Sequence, residues 1–197
     1  MINKSAKKIP GDFFWENEPE NVITDNGIII HTKPYTDFWQ RTHYGFSRDN
    51  GHCLLTNTDT DFLLEVKAQF TAKGQYDQCG LFVRIDKDNW IKESTEFETD
   101  DHYRLGSVVT NLGFSDWATI DIDKPVNEVW YRIQSQNGLK DFLLEFSDDH
   151  GLWKQLRITH LHKATGKIAI GIYACSPMNS SFVVRFSELR IDSSTWK

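Results

Sequence analysis

The chain is poor in several things that would have named a class at once. Its three cysteines, Cys53, Cys79 and Cys175, are widely spaced, with no C-x-x-C pair and no neighbouring histidine at ligand spacing. Neither a disulfide framework nor a zinc site is indicated, and no metal ligand set is assigned. No run approaches the ~20 apolar residues of a membrane-spanning helix. The start, Met1 to Pro10, is a short basic, polar lead without an apolar stretch of signal-peptide length. These features place the expected protein in the cytoplasm, away from membranes. No window concentrates Lys and Arg into a phosphate-tracking stripe. With 22 Lys+Arg against 28 Asp+Glu the net charge is −6, so nucleic acid is not expected as a partner. Walker loops, G-x-G-x-x-G, G-x-S-x-G and H-E-x-x-H are all missing, and no cofactor is implied. Also missing is any Pro/Gly/Ser-rich linker. A chain of 197 residues is therefore read as one domain over residues 10–197, preceded by a loose lead over 1–9.

What the chain does have is aromatic side chains: 7 Trp, 6 Tyr and 13 Phe within a composition that is 39% hydrophobic. Their spacing has a period of two. Phe62, Leu64, Val66, Ala68 and Phe70 share one face while Glu65, Lys67 and Gln69 take the other, as a half-buried strand requires. The pattern recurs at Ile28–His31, Gly80–Ile85, Trp90–Phe97, Tyr103–Thr110, Ala118–Ile122, Val129–Gln134, Phe142–Phe146, Ile168–Ile172 and Phe182–Phe186. Between the runs lie turn residues, including Asp25-Asn26-Gly27, Asp49-Asn50-Gly51, Asp86–Asn89, Gln136-Asn137-Gly138 and Asp148–Gly151. No window reads as an amphipathic helix and no fixed repeat is visible. The pattern predicts about a dozen short strands in an all-β, antiparallel, two-sheet β-sandwich or jelly roll.

One strand carries chemistry. If the segment Asn89 to Glu98 is extended, Trp90, Lys92, Ser94, Glu96 and Glu98 point one way and Ile91, Glu93, Thr95 and Phe97 the other. The first face combines an aromatic plane, an ammonium and carboxylates. That set can stack on the apolar face of a sugar while bonding its hydroxyls. The plainer alternative is a solvent-facing strand with charge pairs worth only ~0.2–1 kcal/mol each. Ser115-Asp116-Trp117 and the strand end Tyr173-Ala174-Cys175-Ser176-Pro177 favour the groove, because Trp is costly to leave on a bare surface.

Taken in order, the segments Thr36-Asp37-Phe38-Trp39, Tyr76-Asp77-Gln78-Cys79-Gly80-Leu81, Asn89-Trp90-Ile91-Lys92 with Glu96, Ser107-Val108-Val109-Thr110, Ser115-Asp116-Trp117 and Tyr173-Ala174-Cys175-Ser176-Pro177 closely resemble the "regulation of enolase" family of concanavalin A-like domains of unknown function. The match runs from roughly Gly11 to Ile191. It departs from the family pattern at Glu93-Ser94, where members often carry Gly. The resemblance implies a lectin/glucanase-type jelly roll whose concave sheet holds carbohydrate, but no known activity. Carried over position by position, it places Trp39, Gln78, Lys92, Glu96, Thr110, Asp116, Trp117 and Tyr173 on that face, and the strand pattern adds Trp90. Trp39 and Trp117 are expected to stack, and Gln78, Lys92, Glu96 and Asp116 to bond hydroxyls or carboxylates. Ser176 and Pro177 are expected to shape the strand end.

Three functions follow as expectations. The first is binding of a carbohydrate or a small sugar-derived ligand. The second is a glycoside hydrolase or lyase with Glu96 as acid/base. Against it stands the missing E-x-D-x-x-E or E-x-D-x-E pattern of concanavalin A-like glucanases, since Glu93-Ser94-Thr95-Glu96-Phe97-Glu98 has no central Asp. The third is a regulatory protein-interaction role in sugar metabolism, for which no residue identifies the partner. Nothing in the sequence sets an oligomeric state.

Overall fold

The structure is a computed structural model that describes residues 12–24 and 27–197; the expected lead over residues 1–9 and the Asp25-Asn26 turn lie outside them. No helix occurs among the described residues. Along the chain run β1 (Phe14–Glu16), β2 (Glu20–Thr24), β3 (Gly27–His31), β4 (Phe38–Gln40), β5 (Ser47–Asp49), β6 (His52–Thr58), β7 (Phe62–Thr71) and β8 (Gln78–Asp86). They continue as β9 (Asn89–Thr99), β10 (His102–Asn111), β11 (Phe114–Ile122), β12 (Glu128–Gln136), β13 (Asp141–Ser147), β14 (Lys154–His160), β15 (Ile168–Cys175) and β16 (Val183–Ser193). A first sheet has the order β1-β6-β15-β8-β9-β10-β11 and a second β14-β13-β12-β7-β16-β3-β2, with β4 and β5 as a separate hairpin. This is the two-sheet antiparallel β-sandwich that the period-two pattern predicts. The strands without a clear alternation signal are the short β1, β4 and β5, the edge strands β2 and β14, and β6.

The main core lies between the sheets. Phe62, Leu64, Val66, Ala68 and Phe70 of β7 meet Ile91 and Phe97 of β9, with Ile170 and Ile172 of β15 and Val184 and Phe186 of β16. Period two turns these side chains inward and leaves their neighbours on the outer faces. Tight turns join the strands where Asn137, Gly138 and Leu139 take φ of 60°, 66° and 67°. Through the Glu93-Ser94 departure the register of β9 with β8 and β10 is unbroken.

A second core sits on the other face of the first sheet. Phe38, Trp39, Cys53, Leu55, Phe82, Trp90, Val108, Tyr173 and Cys175 pack there. Phe82 and Trp90 alternate with the inward Leu81, Val83 and Ile91, so the centre of this sheet is apolar on both sides and needs a cover. The β4–β5 hairpin supplies it. Phe38 lies 4.5 Å from Phe82, and Phe82 stacks on Trp90 at 5.6 Å. Such aromatic pairs contribute about 0.5–1.5 kcal/mol each beyond their area. Polar ties hold the hairpin down. Arg84 donates to both Asp49 oxygens at 2.8 and 2.9 Å, the Gln40 N–H donates to Ser115 Oγ at 2.9 Å, and Arg41 Nη1 donates to Gly113 O at 2.8 Å. Gly113 is required there: its φ is +79° and a Cβ would collide with the Arg41 guanidinium.

Candidate functional site

Beside the hairpin the outer face of the first sheet stays open and forms a cavity of about 310 Å³. Aromatic side chains line much of it: Trp39 from β4, Tyr44 and Phe46 from the loop joining β4 to β5, Tyr76, and Trp117 from β11. Their positions are fixed by neighbours. The Trp39 indole N–H donates to Thr42 O at 3.0 Å, and its ring meets Tyr44 edge-on at 5.4 Å. Tyr44 in turn stacks on Phe46 at 5.9 Å. The Arg104 guanidinium sits 5.5 Å from the Trp117 ring centre and is itself held by Glu98 at 2.6 Å. The loop reverses through Arg41, His43 and Gly45, with φ of 55°, 62° and 72°.

The deepest polar groups form one network. Lys92 Nζ donates to Gln78 Oε1 at 2.8 Å, to Phe38 O at 2.9 Å and to Asp37 Oδ1 at 3.3 Å, which uses all three of its protons. Gln78 Oε1 also accepts from the Tyr173 hydroxyl at 3.2 Å, while Nε2 donates to Tyr76 O at 3.1 Å and to Glu96 Oε2 at 2.9 Å. The amide is thereby saturated and its orientation fixed. Burial works to lower the Lys92 pKa, but Asp37 leads the interactions that more than offset it, so the ammonium stays above the ordinary lysine value. Burial pushes the Glu96 carboxyl up to about 8, with Lys92 opposing and Asp37 adding to the rise. Glu96 is therefore mostly protonated at neutral pH. Its Oε1 makes no hydrogen bond to the described protein and is available to a ligand.

Of the residues expected at a ligand face, the structure brings Trp39, Gln78, Lys92, Glu96 and Trp117 to the cavity. Four others are not at its wall. Trp90 has 0% exposure and lies beneath Phe38 and Phe82 in the second core. Tyr173, also at 0%, acts from below through Gln78. Thr110 is closed off by the hairpin, its hydroxyl 2.7 Å from Ser115 Oγ. Asp116 turns to the opposite face and pairs with Arg157 at 2.9 Å. Pro177, read as a strand-end residue, lines the cavity next to Met178.

Asp37, Tyr44, Phe46, Arg48 and Tyr76 are lining residues that the sequence reading missed. Asp37 and Tyr76 stand inside the segments that carry the family resemblance. Tyr44 and Phe46 had a visible signal, two aromatic residues in a polar loop. The three thiols take no part: Cys53, Cys79 and Cys175 are free and buried, and burial pushes each well above the ordinary thiol value.

Fold and site together define a two-sheet antiparallel jelly roll with an aromatic-lined cavity on the outer face of one sheet. The chain belongs to the family described as "Protein of unknown function (DUF1349)", whose model matches residues 15–194. It is 35% identical over 175 residues to "Regulation of enolase protein 1" of Saccharomyces cerevisiae, a match covering 88% of this chain and 86% of that protein. Among solved structures it is similar to a functionally unknown protein from Saccharomyces cerevisiae, with a TM-score of 0.86, 31% identity and coverage of 94% and 98% of the two chains. Two more distant structures share the fold. The GH43 protein BlXynB of Bacillus licheniformis matches at TM-score 0.71 and 13% identity over 96% of this chain and 38% of its own. The carbohydrate-binding module CBM66 of Bacillus subtilis matches at TM-score 0.57 and 10% identity over 92% and 96%.

Proposed function

We propose that the cavity binds a carbohydrate or a small sugar-derived ligand. The observation that carries this reading is the placement of Trp39 and Trp117, with Tyr44 and Phe46, around a floor whose unused polar atom is Glu96 Oε1. Aromatic planes can pack against the apolar faces of a sugar ring, while a protonated carboxyl donates to a hydroxyl or ring oxygen. A cavity that is mostly apolar with a few fixed polar groups has the character of a small-molecule site. The similarity to a carbohydrate-binding module adds support at the level of fold. The test is calorimetric titration with a broad sugar panel. The reading expects saturable binding that weakens about tenfold or more in Trp117→Ala, since truncating a buried aromatic anchor typically costs ~2 kcal/mol or more. Absence of binding across the panel removes the reading.

One observation favours a catalytic alternative. A carboxyl held near pH 8 in a cavity is suited to protonate a leaving group. Asp37 is the other carboxylate of the cavity, and its Oδ1 already accepts from Lys92 and from the Phe38 N–H at 2.7 Å. Glycoside hydrolysis needs two carboxyl groups flanking the bond. Turnover of aryl glycosides that disappears in Glu96→Gln would favour this alternative over binding alone.

A further inference from the structure

Four acidic or basic side chains line the cavity, Asp37, Arg48, Lys92 and Glu96, and two of them, Lys92 and Asp37, pair with each other. Lys92 spends all its protons on Asp37, Phe38 and Gln78, and the Asp37 carboxylate balances its charge. Glu96, mostly protonated, adds little charge. Arg48 is the one left over. It reaches the cavity from β5, half-buried, and its contacts are a hydrogen bond from Nη1 to Tyr35 O at 2.9 Å and the Phe46 ring 5.9 Å from its guanidinium carbon. No carboxylate pairs with it among the described residues.

Six of the other arginines behave differently. Arg41, Arg84, Arg104, Arg132, Arg157 and Arg190 each have a carboxylate oxygen within 3.6 Å. Carboxylates are not scarce in a chain with 28 Asp+Glu against 22 Lys+Arg. An unpaired guanidinium in a partly enclosed, aromatic-lined cavity therefore marks a place for an anion that the protein does not itself supply. The planar fork of Arg is suited to bidentate pairing with a carboxylate or phosphate.

We propose that the ligand of this cavity is an acidic sugar, whose carboxylate pairs with Arg48 while its ring packs against the aromatic walls and accepts a hydrogen bond from Glu96. This rests on the sugar-binding reading and narrows it. A sugar phosphate shares the anion chemistry. Its second charge would face one arginine and the Asp37 carboxylate, so the carboxylate is the better match.

The test uses matched pairs: methyl glucoside with methyl glucuronide, and methyl galactoside with methyl galacturonide, together with glucose 6-phosphate, titrated into the full chain and into Arg48→Gln and Arg48→Ala. In at least one pair the acid should bind about 10- to 100-fold tighter than the neutral sugar. Both variants should cost the acid about tenfold or more beyond any loss for the neutral sugar, so that the two partners of a pair bind alike. Added salt should weaken the acid alone. Thermal unfolding confirms that the variants fold, and agreement of the two guards against one misfolded protein. Neutral sugars binding as well as their acids, or an equal loss for both partners in the Arg48 variants, overturns the acidic-sugar assignment while the sugar-binding reading stands. Glucose 6-phosphate outcompeting both acids overturns the choice of carboxylate. Binding of none of these probes or of the wider sugar panel overturns both.

Discussion

Glu93 and Glu96 leave the same strand, three residues apart, toward opposite faces of the first sheet. Glu96 opens into the cavity with one oxygen bonded to Gln78 and the other free for a ligand. Glu93 points into the sandwich, has 0% exposure, and has no hydrogen-bond partner on either oxygen. Burial pushes its pKa well above the ordinary carboxylate value, Glu145 adds to the rise, and Arg132 opposes it. Two side chains of identical chemistry thus face different costs. The Glu96 cost sits where a ligand can offset it, whereas the Glu93 cost is met by the fold alone. On the proposed function, the face turned to the cavity serves the ligand and the face turned inward serves the fold.

The largest effect should come from the cavity floor. Lys92→Met removes the cation that Asp37, Phe38 O and Gln78 share, leaving a carboxylate of 13% side-chain exposure unpaired. The expected loss is about 3–5 kcal/mol in chemical denaturation. A change below ~1 kcal/mol would mean that the network does not hold the floor.

Glu93→Met should act in the opposite direction, adding about 1–3 kcal/mol at neutral pH by removing an unpartnered buried group. It should also alter the pH profile. The folded Glu93 pKa is raised above the unfolded value of ~4.3, so its stability contribution is complete below that pH and is lost as pH rises toward the folded value. Wild-type stability should fall between mildly acidic and mildly alkaline pH, and Glu93→Met should flatten the fall. In the slope that remains, the Glu96 part should end near pH 8, while His52, whose pKa burial lowers, contributes in the opposite sense at mildly acidic pH. Identical profiles for the two proteins would contradict the assignment.

The smallest effect should be that of Asp116→Asn. Its carboxylate is 70% exposed and pairs with Arg157 across the edge of the sandwich. Stability should change by about 0–1 kcal/mol and sugar affinity not at all. A loss of affinity would put Asp116 at the ligand despite its orientation.

Period-two alternation makes both sheets and the faces of β9 legible from the sequence, because it depends only on which side of a strand is buried. It also separates Asp116 from Trp117: adjacent strand residues cannot share a face, and the family resemblance that grouped them ignores this. Trp90 and Thr110 are on the cavity side by parity and are nevertheless covered. What covers them is the β4–β5 hairpin, brought over the sheet by contacts distant in sequence, such as Arg84 with Asp49 and Gln40 with Ser115. The same long-range placement delivers Tyr44, Phe46 and Arg48 to the cavity, which no local pattern encodes.

The contrast between the two faces of β9 can be tested most directly by titrating the best-binding sugar of the panel into wild type, Trp117→Ala and Glu93→Met, with thermal unfolding of each. Trp117→Ala should lose about tenfold or more in affinity. Glu93→Met should bind as wild type does and unfold at a higher temperature. Undiminished binding in Trp117→Ala, or binding lost in a folded Glu93→Met, would contradict the division of β9 into a functional and a structural face.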